Sequence, residues 1–380
     1  MERNVVHMDL DSFFVSVERL KNSRLNNMPV IIGGTSDRGV VSSCSYEARK
    51  FGVHSAMPAK MAHQLCPDAA FIKGDMDSYT KYSRLVTDII ASEAPAYEKA
   101  SIDEHYLDIT GMDKFFGSLK WTSKLRQKIT RESGLPISFG LSVNKTVSKM
   151  ATNEAKPNGQ LMVESPKVRP FLNPLPIQKI PMLGTKTFQT LRAMGIADIR
   201  TLSNIPPEML INLMGKSGKL LWERANGIDN TPVQQYSERK TIGTEHTFDA
   251  DSMDIAAIHD LLSSMVEKLA FKIRKDHWLT STVTVKIRYA NFDTHSMQRR
   301  IAYTSFDHEL MAVAHELFDK LYTRRMRLRL VGIKFSGLVH GVQQLRLFEA
   351  KPEMAKLYMA MDDIRKRFGK KAIRRAIGFH

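Results

Sequence analysis

Two short apolar segments of this chain carry carboxylates. Val5-Val6-His7-Met8-Asp9-Leu10-Asp11 reads as a buried strand that ends in two acids, and Ala100-Ser101-Ile102-Asp103-Glu104-His105-Tyr106-Leu107-Asp108 sets an acidic pair in a second. An ionised carboxylate is costly to bury unless it is paired or holds a metal. Hard oxygen ligands presented from two neighbouring strands suit Mg²⁺ carrying bound phosphates, so metal-dependent phosphoryl transfer is the first reading. The alternative is that these acids lie at strand ends in water. Adjacent residues of one strand point to opposite faces, so Asp103 and Glu104 reach a common site only if a turn or bulge falls between them.

The elements that must position these acids follow from periodicity. After the first strand, Ser12 to Leu20 reads as a helix with a Ser cap and an aromatic stripe. Strands are expected at Pro29–Gly34 and Gly39–Cys44, then a short helix from Tyr46 closed by Gly52, and helices to about Glu93. Strands on either side of a tight turn at Ser101–Asp103 precede a helix over 117–133, a strand over 137–143 and a basic helix from Lys145 to Lys156. Pro166 to Pro181 marks a boundary, small helices run to about Asn226, and Gln234 to Lys240 reads as a linker. Beyond it come a strand (241–248), a helix (253–275), two strands (280–289 and 297–304), a helix (307–322) and a strand (328–336), with a separate basic tail at 341–380. The alternation around the acids predicts a ferredoxin-like sheet, and the later β-α-β-β-α-β order suggests that this fold occurs twice.

In the 380 residues, 56 Lys and Arg against 40 Asp and Glu leave a formal net charge of +16. Such an excess favours a polyanionic partner, nucleic acid ahead of an anionic membrane. No apolar run approaches the about 18 residues that a membrane span needs, and the start leads into a strand and not a signal segment. Cys44 and Cys66 alone make neither a disulfide framework nor a zinc pattern. The expectation is a cytoplasmic monomer with no membrane partner.

Met8-Asp9-Leu10-Asp11-Ser12-Phe13-Phe14, Tyr46-Glu47-Ala48-Arg49, Ser101-Ile102-Asp103-Glu104 and Ala155-Lys156-Pro157-Asn158-Gly159 stand in this order along the chain. In these motifs the sequence resembles the Y-family (translesion) DNA polymerases, over residues 5 to about 340. The resemblance implies an α+β, multidomain right-hand polymerase: a ferredoxin-like palm (1–17 and 75–165), small fingers (18–74), a helical thumb (166–233), a linker (234–241) and a little finger (242–340). It implies that Asp9, Asp103 and Glu104, with the Leu10 carbonyl, hold two Mg²⁺ ions for transfer of dNMP from dNTP to a primer 3′ end. Asp11 lies beside that site or caps the helix after it. Phe14 matches the family's steric gate against a ribose 2′-hydroxyl, next to Phe13. Ser43, Tyr46, Arg49 and Lys156 match its triphosphate contacts, and Val40 and Ala56 fall where it places small residues over the nascent base pair. His105 departs from the usual pattern and reads as a structural histidine on the opposite sheet face, with an extra metal ligand or proton relay as the alternative.

The stretch Ile180 to Ile196 is similar to the family's helix-hairpin-helix, with Gly184 and Lys186 near the DNA backbone and Met182 at a position usually held by glycine. Arg299, Arg300, Arg325, Arg327 and Arg329 are the basic elements of the third domain. If the last three alternate on one strand they make a phosphate track, and otherwise a solvated edge strand. Gln344-Leu345-Arg346-Leu347-Phe348 resembles the pentapeptide by which bacterial proteins dock in a sliding clamp, anchored by Gln344, Leu345, Leu347 and Phe348. Two rivals differ in class. A non-catalytic adaptor that binds DNA and clamp would lack the acids that are present here. A nucleotidyl cyclase on a similar sheet would not need the hairpin, the basic third domain or the clamp peptide.

Overall fold

The computed structural model describes residues 3–34, 36, 38–112, 117–236, 238–341, 351–369 and 372–373. The chain divides into two compact units, residues 1–237 and 238–380.

The first unit is built on a five-stranded sheet of order β5-β6-β1-β7-β8, where β1 is Val5–Leu10, β5 Tyr97–Lys99, β6 Glu104–Asp108, β7 Ile137–Ser142 and β8 Gln160–Met162. β1 lies at the centre, antiparallel to β6 and β7, and both of its faces are buried. Val6, Met8 and Leu10 enter the main core with Leu107, Phe139 and Leu141. On the other face the helix Lys145–Ala155 lies against β1, where Ser148 and Thr152 donate to the carbonyls of Val5 (2.7 Å) and His7 (2.9 Å). It also approaches β7 closely: a Cβ on Gly140 would stand 2.2 Å from the Ser148 carbonyl oxygen.

A three-stranded sheet, β3-β2-β4, is formed by β2 (Val30–Gly33), β3 (Val41–Cys44) and β4 (Ala70–Ile72). Its own small core includes Ile31, Cys44, Ala48 and Cys66. β4 and β8 have three residues each, too few to register as a period-2 pattern, and the sequence reading passes over both. The helices from Val168 to Ala225 bury Leu172, Leu191, Leu202 and Leu221 against Val147 and Met150 of the helix Lys145–Ala155.

The second unit is an antiparallel sheet of order β11-β10-β12-β9, from β9 (Thr241–Ser252), β10 (Trp278–Tyr289), β11 (Thr294–Thr304) and β12 (Leu328–His340). Val283, Val285 and Ile287 pack on the helices Ile255–Lys275 and Asp307–Leu321. Its first strand is at an edge, whereas the first strand of the other unit is central, so the two sheets are not copies of one topology.

The tail is not separate, as the sequence suggests, but docks here. A helix at Lys351–Phe368 buries Tyr358, and Arg274 bonds Asp307 (2.5 Å) and Asp362 of that helix (2.7 Å). No helix among the described residues is long and apolar enough to cross a membrane.

Candidate active site

Antiparallel register sets Asp9 of β1 directly opposite Glu104 of β6, so both carboxylates leave the same sheet face, the one covered by the helix Lys145–Ala155. Ser101 makes the turn that brings in Asp103. Its Oγ accepts from the backbone N–H groups of Asp103 (3.2 Å) and Glu104 (3.0 Å), while its O–H donates to Asp103 Oδ1 (2.5 Å). The strand begins only at Glu104, which frees Asp103 from strand alternation. The Leu10 N–H donates to the Asp103 carbonyl (3.2 Å), tying the turn to the end of β1.

Two of the three acids have a lysine as a neutralising partner. Lys156 Nζ lies 2.5 Å from Asp9 Oδ1, and Lys149 Nζ bonds both oxygens of Glu104 at 2.8 and 2.7 Å. Burial pushes the Asp9 carboxyl up to about 7; Lys156 opposes that, and the charges of Asp103 and Glu104 add to it. Burial acts in the same direction on Glu104, but the neighbouring His7 ring, with Nε2 3.9 Å away, and Lys149 outweigh it and bring this carboxyl down to about 2. Among the described residues no three His, Cys, Asp or Glu side chains converge as a metal ion's ligand set. In this structure two lysines and a serine hold the three acids. The donor chemistry still suits a hard cation, since Asp9 and Glu104 stand opposite each other in one partly buried site and Asp9 also feels the charge of Asp103.

Asp11 does not cap the helix Phe13–Lys21. It is 2 % exposed and accepts from the Tyr46 hydroxyl (3.1 Å), the Ser138 hydroxyl (2.8 Å) and the Asn158 N–H (2.8 Å). Ser12 does not cap by its side chain either, because its backbone is left-handed (φ 44°), and its buried hydroxyl is without a partner among the described residues. Tyr46 and Arg49 share a face of their short helix, with the guanidinium 4.6 Å above the phenol ring. Burial and then the Asp11 charge hold the Tyr46 phenol well above its ordinary range. Ser43 is half-buried on β3, two residues before the Ser45 that caps this helix.

Phe13 is in the core, whereas Phe14 is half-buried and stacks on Tyr79 at 4.2 Å and 10°. Val40 and Ala56 are both exposed and share one loop cluster, where the Ala56 N–H donates to the Val41 carbonyl (2.8 Å). His105 faces away from the acids into the core. Its Nε2 lies 3.0 Å from Thr87 Oγ1, and burial pulls its pKa down to about 3, so it is a neutral structural residue.

Gly184 precedes the helix Thr185–Ala193, with Lys186 exposed in its first turn. Met182 adopts a left-handed φ of 65°, a conformation that glycine takes without strain, and is 88 % exposed. In the second unit the basic residues separate. Arg299 is on the helix side of the sheet, where it forms a bidentate pair with Glu316, while Arg300 points to the open face. Arg325 and Arg327 precede β12, so the three alternating arginines do not form a strand face; only Arg329 is on the strand, its guanidinium 4.6 Å over Phe292. The open face carries Lys286, Arg288 and Lys334, which alternate with the core residues Val285, Ile287 and Ile333.

Gln344, Leu345, Leu347 and Phe348 lie outside the described residues. Four contacts of the acids escaped the sequence reading: Lys149, Ser101, Ser138 and Asn158. Lys149 stands seven residues before Lys156, two helical turns along the same face, which is a signal that could have found it. Tyr79 leaves no such sign.

With this geometry established, comparison with known proteins is informative. Residues 8–153 match the impB/mucB/samB family and residues 239–347 its C-terminal domain. The DNA polymerase IV of Dehalococcoides mccartyi is 38% identical over 97% of this chain and 95% of its own length. That of Treponema denticola is 35% identical over 99% and 96%. Among solved structures, a Y-family DNA polymerase chimera of Dbh and Dpo4 superposes with a TM-score of 0.78 at 26% identity, covering 89% of this chain and 100% of its own. DinB from Sulfolobus solfataricus does so at 0.61 and 27%, with the same coverage. The chain belongs to the Y-family DNA polymerases, the impB/mucB/samB family, and within them it is DNA polymerase IV-like. The resemblance read from the motifs is thereby borne out.

Proposed function

We propose that Asp9, Asp103 and Glu104 are the catalytic carboxylates of this enzyme and that the ions they hold are two Mg²⁺. DNA-directed DNA polymerase activity of the translesion type follows from family membership, as does dependence on divalent metal in general. Binding of primer–template DNA and dNTP goes with it, and one structural neighbour is an insertion ternary complex of Dbh DNA polymerase. The observation that carries the residue assignment is the register of Asp9 against Glu104, with Asp103 turned in beside them.

Two bound divalent cations supply charge neutralisation at the attacking 3′-oxygen and at the pyrophosphate leaving group. The chain's own residues do the rest. Asp9, Asp103 and Glu104, with the Leu10 carbonyl, provide hard oxygen donors once Lys149 and Lys156 give way. Lys156 is then available as a point charge for the triphosphate, which Tyr46 and Arg49 meet from the helix Tyr46–Arg49 and Ser43 from β3. Phe14, backed by Tyr79, sets the floor for the incoming sugar. Val40 and Ala56 leave open space over the nascent base pair.

The proposed DNA contacts are Gly184 and Lys186 in the first unit and, in the second, Arg300 together with Lys286, Arg288 and Lys334 on the open sheet face. Arg299 supports that face through Glu316. We assign Gln344–Phe348 to a bacterial sliding clamp, and residues 1–17 with 75–165, 18–74, 166–233 and 242–340 to palm, fingers, thumb and little finger. A cytoplasmic monomer completes the reading. Primer extension by the purified chain, with dNTPs and Mg²⁺ on undamaged and lesion-bearing templates, tests it. No incorporation under these conditions would overturn it.

A further inference from the structure

The helix Ser118–Ser133 supplies none of the acids or triphosphate contacts named above, yet one of its faces reaches the turn that follows Lys156. Arg126 stands two turns into this helix. Its Nε–H donates to the carbonyl of Ile137 (2.8 Å), the first residue of β7. Its Nη2 donates to both oxygens of Asn158, the backbone carbonyl at 2.6 Å and Oδ1 at 2.5 Å. Three residues earlier and on the same face, the Ser123 hydroxyl donates to Gln160 Oε1 at 2.9 Å. The helix thus holds the chain on either side of Gly159.

We infer that Arg126 is a positioning residue for the triphosphate end of the site, fixing the turn Pro157–Gly159 and, through it, Lys156. The inference rests on the reading of Lys156 as a triphosphate contact. Asn158 has a left-handed φ of 50°, a conformation that costs a residue with a side chain unless local bonds support it. Those bonds come from remote elements. The Asn158 N–H donates to Asp11 Oδ2 at 2.8 Å, while Arg126 occupies both of its oxygens.

The turn is packed closely enough to pass a displacement on. A Cβ on Gly159 would stand 1.8 Å from the Ala155 carbonyl oxygen, so the turn is folded directly against the end of the helix Lys145–Ala155. Lys156 is the residue between the two. Its N–H donates to the Thr152 carbonyl (3.1 Å), and its Nζ lies 2.5 Å from Asp9 Oδ1.

The chemistry of Arg126 is that of a spacer and not of an ion pair. Its three acceptors are uncharged oxygens, and it has no carboxylate partner among the described residues. Ile137 lies opposite Leu10 in the sheet, so one rigid guanidinium sets the distance between the turn and the strand beside β1. A lysine ammonium would keep the charge without the planar fork.

Single-nucleotide incorporation by the full chain tests this, with KM for dNTP, kcat and primer–template affinity measured separately. Urea unfolding and hydrogen exchange of the Asn158 amide are followed on the same proteins. Arg126→Ala and the milder Arg126→Gln should raise KM for dNTP about tenfold, change kcat and primer–template affinity by less than about twofold, and speed exchange at Asn158. Arg126→Lys should recover little of that loss. In a Lys156→Ala background the same substitutions should have little further effect on KM, because the side chain through which Arg126 acts is gone. Lower stability with unchanged KM would make Arg126 a structural residue and overturn the proposal. Full recovery in Arg126→Lys, or an equal effect of Arg126→Ala with and without Lys156, would do the same. If Lys156→Ala alone leaves KM unchanged, the triphosphate reading fails and takes the proposal with it.

Discussion

The Tyr46 hydroxyl donates to Asp11 at 3.1 Å, and the same carboxylate accepts the Asn158 N–H at 2.8 Å. One buried acid thus joins the helix that carries Arg49 to the segment that carries Lys156. Asp11→Ala would leave the Ser138 hydroxyl and the Asn158 N–H unsatisfied, a cost of about 1–3 kcal/mol in urea unfolding. It should also raise KM for dNTP more than it lowers kcat. Tyr46→Phe and Asp11→Asn should be non-additive in a double-mutant cycle on that KM; strict additivity would show that the hydrogen bond has no part in binding.

Alanine at Asp9, Asp103 or Glu104 should lower kcat by about 10³-fold or more while leaving primer–template affinity near that of the parent. Lys149→Ala separates metal binding from catalysis. Because Lys149 holds both oxygens of Glu104, its removal should lower the Mg²⁺ concentration for half-maximal rate. A requirement for more Mg²⁺ would mean that Lys149 supports the bound site instead of competing with the ion.

Phe14→Val should admit ribonucleotides, with the dNTP/rNTP preference in single-nucleotide kinetics falling by about 10²-fold or more. Tyr79→Ala removes the ring stacked behind Phe14 and is expected to give an intermediate loss. Unchanged sugar discrimination in Phe14→Val would rule out the gate.

If Gln344–Phe348 docks on a clamp, Leu347→Ala with Phe348→Ala abolishes clamp-stimulated synthesis and spares basal extension. Equal loss of both activities counts against docking.

His105 makes stability depend on pH. Burial lowers its folded-state pKa from an ordinary 6.5 to about 3, so between those values the unfolded chain binds a proton that the folded chain refuses. Above pH 6.5 both states are neutral and the residue contributes no pH dependence; below it stability falls by at most about 1.4 kcal/mol per pH unit. Urea midpoints of the parent and His105→Gln at pH 7.5 and 5.5 should therefore converge at the lower pH. Parallel behaviour of the two proteins would refute this origin.

Much of the architecture was legible before any coordinates, because its long elements have strong periodicity. β1, β6, β7 and β10, and helices such as Ile255–Lys275, fall within a few residues of where their patterns place them. The short strands β4 and β8 were not legible, since three residues define no period. Nor was the break before Leu328 that separates Arg325 and Arg327 from the strand: alternating arginines look alike in a turn and in a sheet. The docking of the helix Lys351–Phe368 was hidden too, because it depends on Arg274 meeting Asp307 and Asp362, which are 33 and 88 residues away.

The sequence by itself determined the family and put forward the acids and the gate, because those depend on residue type and order within short motifs. Only the tertiary structure decided which partners the acids keep. A strand's register places Asp9 against Glu104, but the lysines beside them come from a helix and the residue after it, more than 40 residues further along. The choice for Asp11 between a place beside the site and a helix cap, and the separation of Arg299 from Arg300, have the same cause. Burial and counter-charge are properties of a packed interior, where groups remote in sequence come within hydrogen-bond reach and water no longer screens them.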